Sequence, residues 1–418
     1  MLLKCDVKRL CAMTVAWMCA VGLGRVSAEG VWPQWRGPNR DGVAKSVSMP
    51  EVWPDSLKLG WKVPAGTGHA SPVVVGEKVY LHSRLEGQEA ASCFSLDSGR
   101  LIWQERYRAP YRMNLAARGH GKGPKSTPVF HNGKLYTLGI SGILSCFEAG
   151  TGKLKWRHTF SSRFEKTSPI YGTAMSPLVA DRMLIAYVGG HDQGALMAFD
   201  AETGDVKWRW DGDGPAYTSP IVAVFGGTKQ VVTQTQNYCV GVALDTGRLL
   251  WSMPFTTAWD QNIVTPVVFE QTVIFSGLNK GTTAVKVTRN GDTWSTEQVW
   301  HNAEVSMYMS SPVLCDNLLF GLDHKRKGRF FCLDARTGST LWTSGGRQGK
   351  NAALVGAGDV IFCLTTGAEL IVVKQSAREF ESVARYSVAD SPTWAHPAVL
   401  GRQVFVKDSS TLALWRLE

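Results

Sequence analysis

The 418-residue sequence has few charged residues and few long segments free of glycine and proline. Charged residues make up 19% of it, below the roughly 25% typical of soluble domains. After residue 28, the longest stretch without glycine or proline runs from residue 368 to residue 391. Because glycine and proline break helix interiors, these interruptions exclude a helical bundle. Apolar residues make up 44% of the chain, enough for a large core, which excludes global disorder.

The common sequence motifs of catalytic and metal sites are also missing. The chain has no Cys-x-x-Cys, no adjacent cysteine pair and no cysteine–histidine cluster with zinc spacing. It has no Gly-x-Gly-x-x-Gly after a strand, and no Walker, Gly-x-Ser-x-Gly or His-Glu-x-x-His motif. Motifs alone therefore assign no catalytic residue and no metal ligand.

The N-terminus carries the pattern of a signal peptide. Lys4, Lys8 and Arg9 precede an apolar run over residues 10–24, and the run is followed by the small-residue cleavage site Val26-Ser27-Ala28. The run is shorter than the ~20 residues that span a bilayer. We therefore expect cleavage after residue 28 and a periplasmic or secreted chain without a transmembrane segment. Loss of four basic residues and one acidic residue lowers the net charge from +10 to +7.

A phrase of serine or threonine, proline and an apolar strand recurs along the rest of the chain. Its prolines are Pro72, Pro128, Pro177, Pro220, Pro266, Pro312 and Pro397 (the last after a histidine), and Ala353 stands in a degenerate copy. The mean spacing is about 46 residues, and periods of 40–50 built from short strands are typical of four-stranded propeller blades. We predict an all-β, eight-bladed β-propeller over residues 59–418, preceded by an N-terminal extension over residues 29–58.

Most blade copies end in a tight turn and a tryptophan. Three copies share a small residue, a carboxylate, a glycine and a tryptophan: Cys146, Glu148, Gly152 and Trp156; Ala198, Asp200, Gly204 and Trp208; Cys332, Asp334, Gly338 and Trp342. The carboxylate accepts backbone N–H groups in the turn, the glycine takes a positive φ, and the tryptophan packs between blades. Two copies, ending at Trp103 and Trp251, are interpreted as turns shortened by two residues, with Ser95 and Ala243 in the small position.

The ring of blades also has to close. The last copy supplies only three strands, whereas the segment around Trp61 resembles an outer strand without its preceding three. We predict that this N-terminal strand completes the last blade and so pairs an edge that would otherwise be exposed. Cys146 and Cys332 are explained as small fillers beside tryptophans, so we expect no structural disulfide.

The turn-and-tryptophan pattern resembles the tryptophan-docking motif of eight-bladed quinoprotein-type propellers. That superfamily includes the pyrroloquinoline quinone (PQQ) dehydrogenases and the BamB-type outer-membrane-protein assembly lipoproteins. The opening residues 32–42 resemble the start of many exported PQQ-like repeat proteins, so the resemblance covers residues 32–418. It implies the fold, whereas function has to be argued from a site.

The resemblance to the dehydrogenases would imply PQQ with calcium, adjacent cysteines over the cofactor, a tryptophan floor, a glutamate and an asparagine for calcium, and a catalytic aspartate. The chain has no adjacent cysteines, and the rest of this set finds no counterpart in the sequence. Asp260, beside Trp259 and two amides, is interpreted as a turn carboxylate rather than a catalytic or metal-binding group, and His191-Asp192 as a polar turn. We therefore expect no catalytic residue, no metal and no cofactor, with a PQQ-dependent dehydrogenase of alcohols or sugars as the alternative.

Ligands of such propellers bind at the central mouth, which is lined by the segments that lead into the inner strands. Three residues before each proline position stand His69, Lys125, Ala174, Tyr217, Ile263, Met309, Lys350 and Trp394; Arg118, His120, Lys122, Tyr171, Asp260 and Tyr308 lie nearby. The candidate ligand-binding residues are His69, Arg118, Lys125, Tyr217, Trp259, Asp260, Lys350 and Trp394. These basic, aromatic and polar groups suit an anionic or sugar-like ligand, and the alternative is that they are solvated loop residues. Of the 16 tryptophans, only Trp259 and Trp394 are expected where a ligand touches them.

Two basic loops, residues 118–125 and 324–329, are expected on one face of the propeller. Such a face suits an acidic partner: anionic lipid, acidic polysaccharide or a carboxylate-rich peptide. Nucleic acid is not expected, because the chain has an export signal and no nucleic-acid-binding motif. The sequence favours a monomeric, non-catalytic scaffold or binding module at the bacterial cell envelope, similar to the BamB type. The dehydrogenase and carbohydrate binding at the mouth are the alternatives.

Overall fold

The computed structural model describes residues 30–45 and 47–418. The predicted fold class is confirmed: the chain is nearly all β, with 3% helix, and its strands form an eight-bladed β-propeller. The predicted signal peptide over residues 1–28 lies outside the described residues. Within the described ranges, no helix is long and apolar enough to cross a membrane.

In the part of the chain that the structure describes, three strands come before the first complete blade: β1 (Val31–Trp32), β2 (Val43–Ala44) and β3 (Lys58–Pro64). Blades 1 to 4 follow, each built from four consecutive antiparallel strands running from the inner to the outer position. Their strands are β4 (Val73–Val75), β5 (Lys78–Leu85), β6 (Gln88–Ser95) and β7 (Leu101–Tyr107); β8 (Val129–His131), β9 (Lys134–Leu138), β10 (Leu144–Glu148) and β11 (Leu154–His158); β12 (Leu178–Ala180), β13 (Met183–Val188), β14 (Ala195–Asp200) and β15 (Val206–Trp210); and β16 (Ile221–Phe225), β17 (Thr228–Gln234), β18 (Tyr238–Ala243) and β19 (Leu249–Pro254).

Blades 5 to 7 repeat this arrangement, and blade 8 has three strands from the C-terminal end of the chain. Their strands are β20 (Val267–Phe269), β21 (Thr272–Ser276), β22 (Thr282–Asn290) and β23 (Thr293–Asn302); β24 (Val313–Cys315), β25 (Leu318–Asp323), β26 (Arg329–Asp334) and β27 (Thr340–Thr343); β28 (Ala352–Ala357), β29 (Val360–Thr365), β30 (Glu369–Lys374) and β31 (Ser382–Ser387); and β32 (Ala398–Leu400), β33 (Gln403–Lys407) and β34 (Thr411–Arg416). The fourth strand of blade 8 is β3, which pairs antiparallel with β34. The predicted closure by an N-terminal strand is therefore confirmed.

Within the described residues, three short 3-10 turns lie between strands: Leu115–His120, Ala258–Asp260 and Lys325–Lys327. Asn114 caps the first, because its side-chain oxygen accepts a hydrogen bond from the Ala116 N–H at 2.9 Å. The first two turns connect the outer strand of one blade to the inner strand of the next, and the third joins the second and third strands of blade 6. In an antiparallel blade these two kinds of connection lie at the same end of the strands, which we call the loop face.

The tryptophan of one blade docks onto the glycine turn of the next. Trp103 Nε1 donates a hydrogen bond to the carbonyl oxygen of Ala149 at 3.0 Å, and a Cβ added to Gly152 would lie 2.5 Å from the Trp103 ring. Gly152 has a φ of +80°, a conformation that glycine adopts without steric cost. The same contact joins Gly99, Gly204, Gly247 and Gly338 to Trp61, Trp156, Trp208 and Trp300. The motif thus joins neighbouring blades.

The strand registers correct the expected turn lengths. The cross-strand partners of the tryptophans in the two exceptional copies are Cys93 for Trp103 and Gly241 for Trp251. The prediction of turns shortened by two residues was wrong, because Ser95 and Ala243 occupy the position that holds the carboxylate in other copies. The small position is required by the tryptophan of the same hairpin, since a side chain at Gly241 would collide with the Trp251 indole.

The hydroxyl groups of the repeated phrase link the inner strands of neighbouring blades. The Ser71 N–H donates to Thr127 Oγ1 at 3.0 Å, and the Thr127 N–H donates to Ser176 Oγ at 2.9 Å. The Ser176 N–H in turn donates to Ser219 Oγ at 2.9 Å. All four residues are buried, so these bonds satisfy backbone groups that water does not reach. This explains why a small hydroxyl residue precedes the proline.

Residues 31–45, expected in an extension before the propeller, lie among its inner strands; we call them the channel segment. Strand β1 pairs antiparallel with the inner strand β4 of blade 1, and β2 pairs parallel with the inner strand β28 of blade 7. Beyond the channel segment, Val47 forms a bridge with Gly401 of blade 8. The segment thus adds a fifth strand to two blades and fills part of the central channel.

Two buried arginines attach the channel segment to further blades of the ring. Arg40 donates to the carbonyl oxygens of Pro220 at 2.7 Å, Pro177 at 3.0 Å and Ser176 at 2.9 Å. Arg36 donates to the carbonyl oxygen of Pro312 in blade 6. Burial lowers the pKa of Arg36 to about 10 and that of Arg40 to about 9, so both groups remain cations at neutral pH. The segment therefore contacts blades 3, 4 and 6 through guanidinium–carbonyl bonds.

The six cysteines of the described residues are free thiols, and all but Cys315 are buried. Desolvation raises the pKa of Cys315 to about 12 and that of Cys93 to about 11. These cysteines therefore act as small apolar residues in the blade interfaces.

Candidate functional site

A central cavity of about 320 Å³ lies on the loop face. Its lining combines the residues that lead into the inner strands with one residue of the channel segment: Trp35, His69, Ala116, His120, Lys125, Tyr171, Ala174, Tyr217, Ser219, Gln261, Ile263, Tyr308, Met309, Ser311 and Trp394. Small-ligand pockets span roughly 300–1,000 Å³, so the cavity has room for a small molecule or a side chain.

Seven of the eight positions chosen at three residues before the proline line this cavity: His69, Lys125, Ala174, Tyr217, Ile263, Met309 and Trp394. The spacing of three residues before the proline identifies lining residues because each of these segments enters its inner strand at an equivalent position. Ligand binding by His69, Lys125, Tyr217 and Trp394 stays a prediction.

Lys350, the eighth position, points away from the cavity and lines a separate cleft between blades 6 and 7. Its blade has Ala352-Ala353 in place of serine–proline, and Ala353 has the backbone N–H that proline lacks. Strand β28 consequently begins at Ala352, which pairs with Thr365, and the Thr366 N–H donates to the Asn351 carbonyl oxygen at 2.9 Å. This pairing holds the segment at the blade instead of the mouth.

Three other predicted residues also lie outside the cavity lining. Arg118 is exposed on the 3-10 turn that contributes His120 to the lining. Trp259 is 74% exposed, and Asp260 lines a second cleft of about 610 Å³ beside His191 and Asp192.

The cavity's second tryptophan is Trp35, not Trp259 as expected. Trp35 Nε1 donates to Thr265 Oγ1 at 3.2 Å, and its ring meets His396 edge-on with 4.4 Å between centroids. Thr265 and His396 immediately precede proline, deeper than the mouth positions, so Trp35 closes the inner end of the cavity. The channel segment has no sequence similarity to the blade repeat, so the repeat could not place it. Its dense run of tryptophan, arginine and proline was the sequence feature that could have indicated its role.

One side of the cavity is an aromatic group of Trp394 and two histidines. The ring centroids of His120 and Trp394 are 5.0 Å apart, and those of His69 and Trp394 are 5.9 Å apart. His69 Nε2 lies 3.0 Å from the His120 carbonyl oxygen, so this nitrogen carries the proton. Burial, and then the charge of Lys125, lowers the pKa of His69 to about 3. Both effects also lower the pKa of His120.

Another part of the lining contains two tyrosines and a lysine. Tyr171 and Tyr217 meet edge-on with 5.7 Å between centroids, and the Tyr217 hydroxyl accepts the Tyr171 N–H at 3.2 Å. Lys125 Nζ donates to the Tyr171 carbonyl oxygen. Burial lowers the pKa of Lys125 to about 8, so the group is mostly protonated at neutral pH.

The cavity is therefore aromatic and weakly cationic. Lys125 supplies its one cation, the neighbouring histidines are neutral, and the lining of the described cavity contains no aspartate or glutamate. Such a site favours an apolar or anionic group. It has no carboxylate for general acid–base work.

Exposed apolar side chains lie beside several lining residues of this cavity. Leu115 is 76% exposed, Ile170 40% and Trp259 74%. We call these three residues the apolar rim. Leu115 adjoins the lining residue Ala116, Ile170 adjoins Tyr171, and Trp259 is two positions from Gln261. Exposed apolar residues grouped beside a pocket mark interaction sites more often than isolated ones do.

His191 and Asp192 form the structural turn that their sequence indicated. His191 Nε2 lies 3.2 Å from the Tyr217 hydroxyl, and Asp192 Oδ1 accepts from Gln236 Nε2 at 2.9 Å. Both bonds join the second-to-third-strand turn of blade 3 to its neighbours. In the part of the chain that the structure describes, no cluster of three or more histidine, cysteine, aspartate or glutamate residues has metal-binding geometry.

A family model described as outer membrane protein assembly factor BamB matches residues 87–344, more than half of the chain. BamB of Shewanella oneidensis is 26% identical over 248 residues, which cover 54% of this chain and 59% of that protein. The dehydrogenase subunit of the quinone alcohol dehydrogenase of Gluconacetobacter polyoxogenes is 30% identical over 163 residues, which cover 37% of this chain and 21% of that protein. The chain thus matches about a fifth of that dehydrogenase subunit's length.

The crystal structure of BamB from Moraxella catarrhalis superposes with a TM-score of 0.62 at 13% identity, covering 86% of this chain and 99% of that one. At this identity the likeness concerns the fold alone.

The dehydrogenase relative raises the question of a quinone cofactor with calcium. Calcium takes six to eight oxygen ligands, with carboxylates prominent among them. The cavity lining offers the Gln261 amide and hydroxyl groups but no carboxylate, and its cation Lys125 would repel a metal ion. The nearby carboxylate Asp260 faces the second cleft. The residues present therefore do not fit a calcium-bound quinone.

Proposed function

The chain belongs to the family described as outer membrane protein assembly factor BamB, and from this premise we propose that it is a non-catalytic, protein-binding propeller of the bacterial periplasm. Its loop face contacts a partner protein and thereby assists the assembly of outer-membrane proteins. The observation that carries the proposal is the apolar rim beside a cavity that has no carboxylate.

The apolar rim supplies the contact area. Trp259 is exposed on a connection whose backbone has a φ of +63° at Trp259 and +54° at Asp260. A large aromatic ring held outward in this way suits the centre of an interface, where tryptophan is enriched among energetically dominant residues. Leu115 and Ile170 extend the surface along two neighbouring connections.

The central cavity receives one side chain of the partner. Trp394 and Tyr217 offer aromatic surface, and Lys125 offers a single positive charge. An aspartate or glutamate at the tip of a partner loop matches that charge, and its flanking apolar residues match the rim. Lys125 then contributes specificity and Trp259 contributes buried area.

The test replaces the rim and compares it with exposed apolar residues elsewhere. In a strain lacking the native gene, we expect lower amounts of β-barrel proteins in the outer membrane. The parent chain and a Val299→Ser, Leu341→Ser control restore them, since these residues lie on outer strands. The Leu115→Ser, Trp259→Ser variant does not, although it folds and is exported.

Two results would contradict the proposal. One is a strain whose outer-membrane proteins are unchanged by loss of the gene. The other is full rescue by the rim variant, which would mean that another surface makes the contact.

A further inference from the structure

A second site, separate from the central cavity, lies at the junction of blades 6 and 7 on the loop face. This basic cleft has a volume of about 640 Å³. Its walls come from the connection between β27 and β28, which carries Arg347 and Lys350, from the turn between β29 and β30, and from Arg385 on β31. None of its lining residues takes part in the central cavity.

Positive charge predominates in this cleft. Arg347, Lys350 and Arg385 line it with a single carboxylate, Glu369, which lies 3.3 Å from Arg385. Within residues 30–45 and 47–418, Arg347 and Lys350 form no ion pair. Two exposed cations thus remain available to an external anion.

A neighbouring basic turn is hydrogen-bonded to one wall of the cleft. The Arg347 N–H donates to the Arg326 carbonyl oxygen at 3.0 Å, and the Gly349 N–H donates to the Lys327 carbonyl oxygen at 3.3 Å. Arg326 and Lys327 are exposed, so this turn adds two cations at the edge of the cleft. The second basic loop seen in the sequence is therefore hydrogen-bonded to the connection that carries Lys350.

Three of these basic residues have left-handed backbone conformations. The φ angles are +53° at Arg326, +63° at Lys327 and +67° at Arg347. Glycine takes this conformation without steric cost, whereas a side chain at such a position is strained. The chain thus carries cationic side chains where glycine would fit the backbone better, and the interlocked loops hold them in place.

Neutral polar groups complete the lining. Gln348, Thr366 and Ser387 place an amide and two hydroxyl groups among the cations. A ligand that fits such a site carries both anionic groups and hydroxyl groups, which is the chemistry of an acidic sugar. A flat bilayer surface does not enter a concave cleft, so anionic lipid fits less well.

We propose that the basic cleft binds an acidic polysaccharide, with Arg347 and Lys350 pairing with its carboxylate or sulfate groups. This activity goes beyond the proposed partner contact at the apolar rim. It would hold the propeller at a polysaccharide layer of the cell envelope while the central cavity stays free.

The test measures binding of polygalacturonate oligosaccharides to the whole chain by calorimetry, with heparin oligosaccharides as the sulfated probe. We expect binding that weakens with salt and no binding of neutral dextran. Arg347→Gln with Lys350→Gln weakens binding about tenfold or more, as expected for the loss of two charge-assisted contacts. The matched control is Lys153→Gln with Lys155→Gln, two exposed lysines on the outer edge of blade 2, which leaves affinity within about twofold.

Three outcomes would overturn the proposal: equal binding of dextran and polygalacturonate, equal losses in the two double variants, or binding only to phosphatidylglycerol vesicles. The Leu115→Ser, Trp259→Ser variant separates the two proposals. It is expected to bind polygalacturonate as the parent chain does, whatever its effect on outer-membrane proteins.

Discussion

The Arg40 Nε donates a hydrogen bond of 2.7 Å to the carbonyl oxygen of Pro220, across 180 residues of sequence. The same guanidinium bonds two carbonyl oxygens of blade 3. These oxygens belong to the repeated phrase at the start of the inner strands, where the described residues of blades 3 and 4 provide no fifth strand. The channel segment thus holds the centre of the ring together.

Replacement of Arg40 is expected to destabilise the whole propeller. Arg40→Met keeps the length of the side chain but leaves three buried carbonyl oxygens without a donor, which costs about 3–5 kcal/mol of unfolding free energy. Arg378 is exposed and forms no ion pair among the described residues, so Arg378→Met is expected to change stability by less than about 0.5 kcal/mol. Urea unfolding of both variants measures the difference. Equal stability would mean that the segment is peripheral.

The contact between the tryptophan of one blade and the glycine turn of the next can be tested at two glycines of blade 2. Gly152 and Gly133 have φ angles of +80° and +73°, but an added Cβ meets Trp103 at Gly152 and nothing within 4 Å at Gly133. Gly133→Ala therefore measures backbone strain, about 1–2 kcal/mol. Gly152→Ala adds the clash with the indole, about 1–3 kcal/mol more. Denaturant midpoints that coincide for the two variants would show that the glycine serves the turn alone.

Buried neutral histidines make the protein sensitive to acid. The pKa of His69 is about 3 in the folded chain and about 6.5 when unfolded. Between these values the unfolded chain binds one more proton, so the free energy of unfolding falls as the pH is lowered from 6.5.

His69→Gln removes the imidazole that takes up a proton on unfolding, and its side-chain amide keeps a hydrogen-bond donor for the His120 carbonyl oxygen. The slope of stability against pH between pH 4 and 6 is expected to fall by about 1.4 kcal/mol per pH unit. Chemical unfolding at several pH values measures it. A variant with the slope of the parent chain would mean that His69 is protonated normally in the fold.

Cofactor addition provides a further test, because the cavity lacks the oxygen ligands of calcium. Adding Ca²⁺ and PQQ is expected to shift the melting temperature by less than about 1 °C, since a ligand stabilises only a fold that binds it. A stoichiometric quinone absorbance together with oxidation of an alcohol or aldose would instead establish the dehydrogenase alternative.

The repeat made the propeller predictable from the sequence. The prolines mark the inner strands, the tryptophans mark the outer strands, and Trp61 lies one period before Trp103, which indicated how the ring closes. These signals are local and recur in almost every blade. The turn lengths were misjudged where Ser95 replaced the carboxylate, because only the strand register identifies equivalent positions.

The central cavity was predicted in large part, and the misses have physical causes. Lys350 lies outside the cavity because its blade lacks the proline that keeps the equivalent segments of other blades out of the strand. Trp35 was not predicted to line the cavity. It lies in the channel segment, whose strands are only two residues long and whose arginines bind backbone carbonyls. Contacts with backbone atoms leave no complementary pattern in the sequence. The apolar rim was missed, apart from Trp259, because exposure of a loop residue is a property of the folded chain.

The proposed function requires that the loop face around the cavity contacts a partner protein. Its most direct test is photo-cross-linking in living cells from benzoylphenylalanine placed at position 259, compared with position 299 on an outer strand. We expect one discrete cross-linked protein from position 259, lost when Lys125→Ala and Trp394→Ala are added, and none from position 299. No cross-link from position 259, or the same product from both positions, would contradict it.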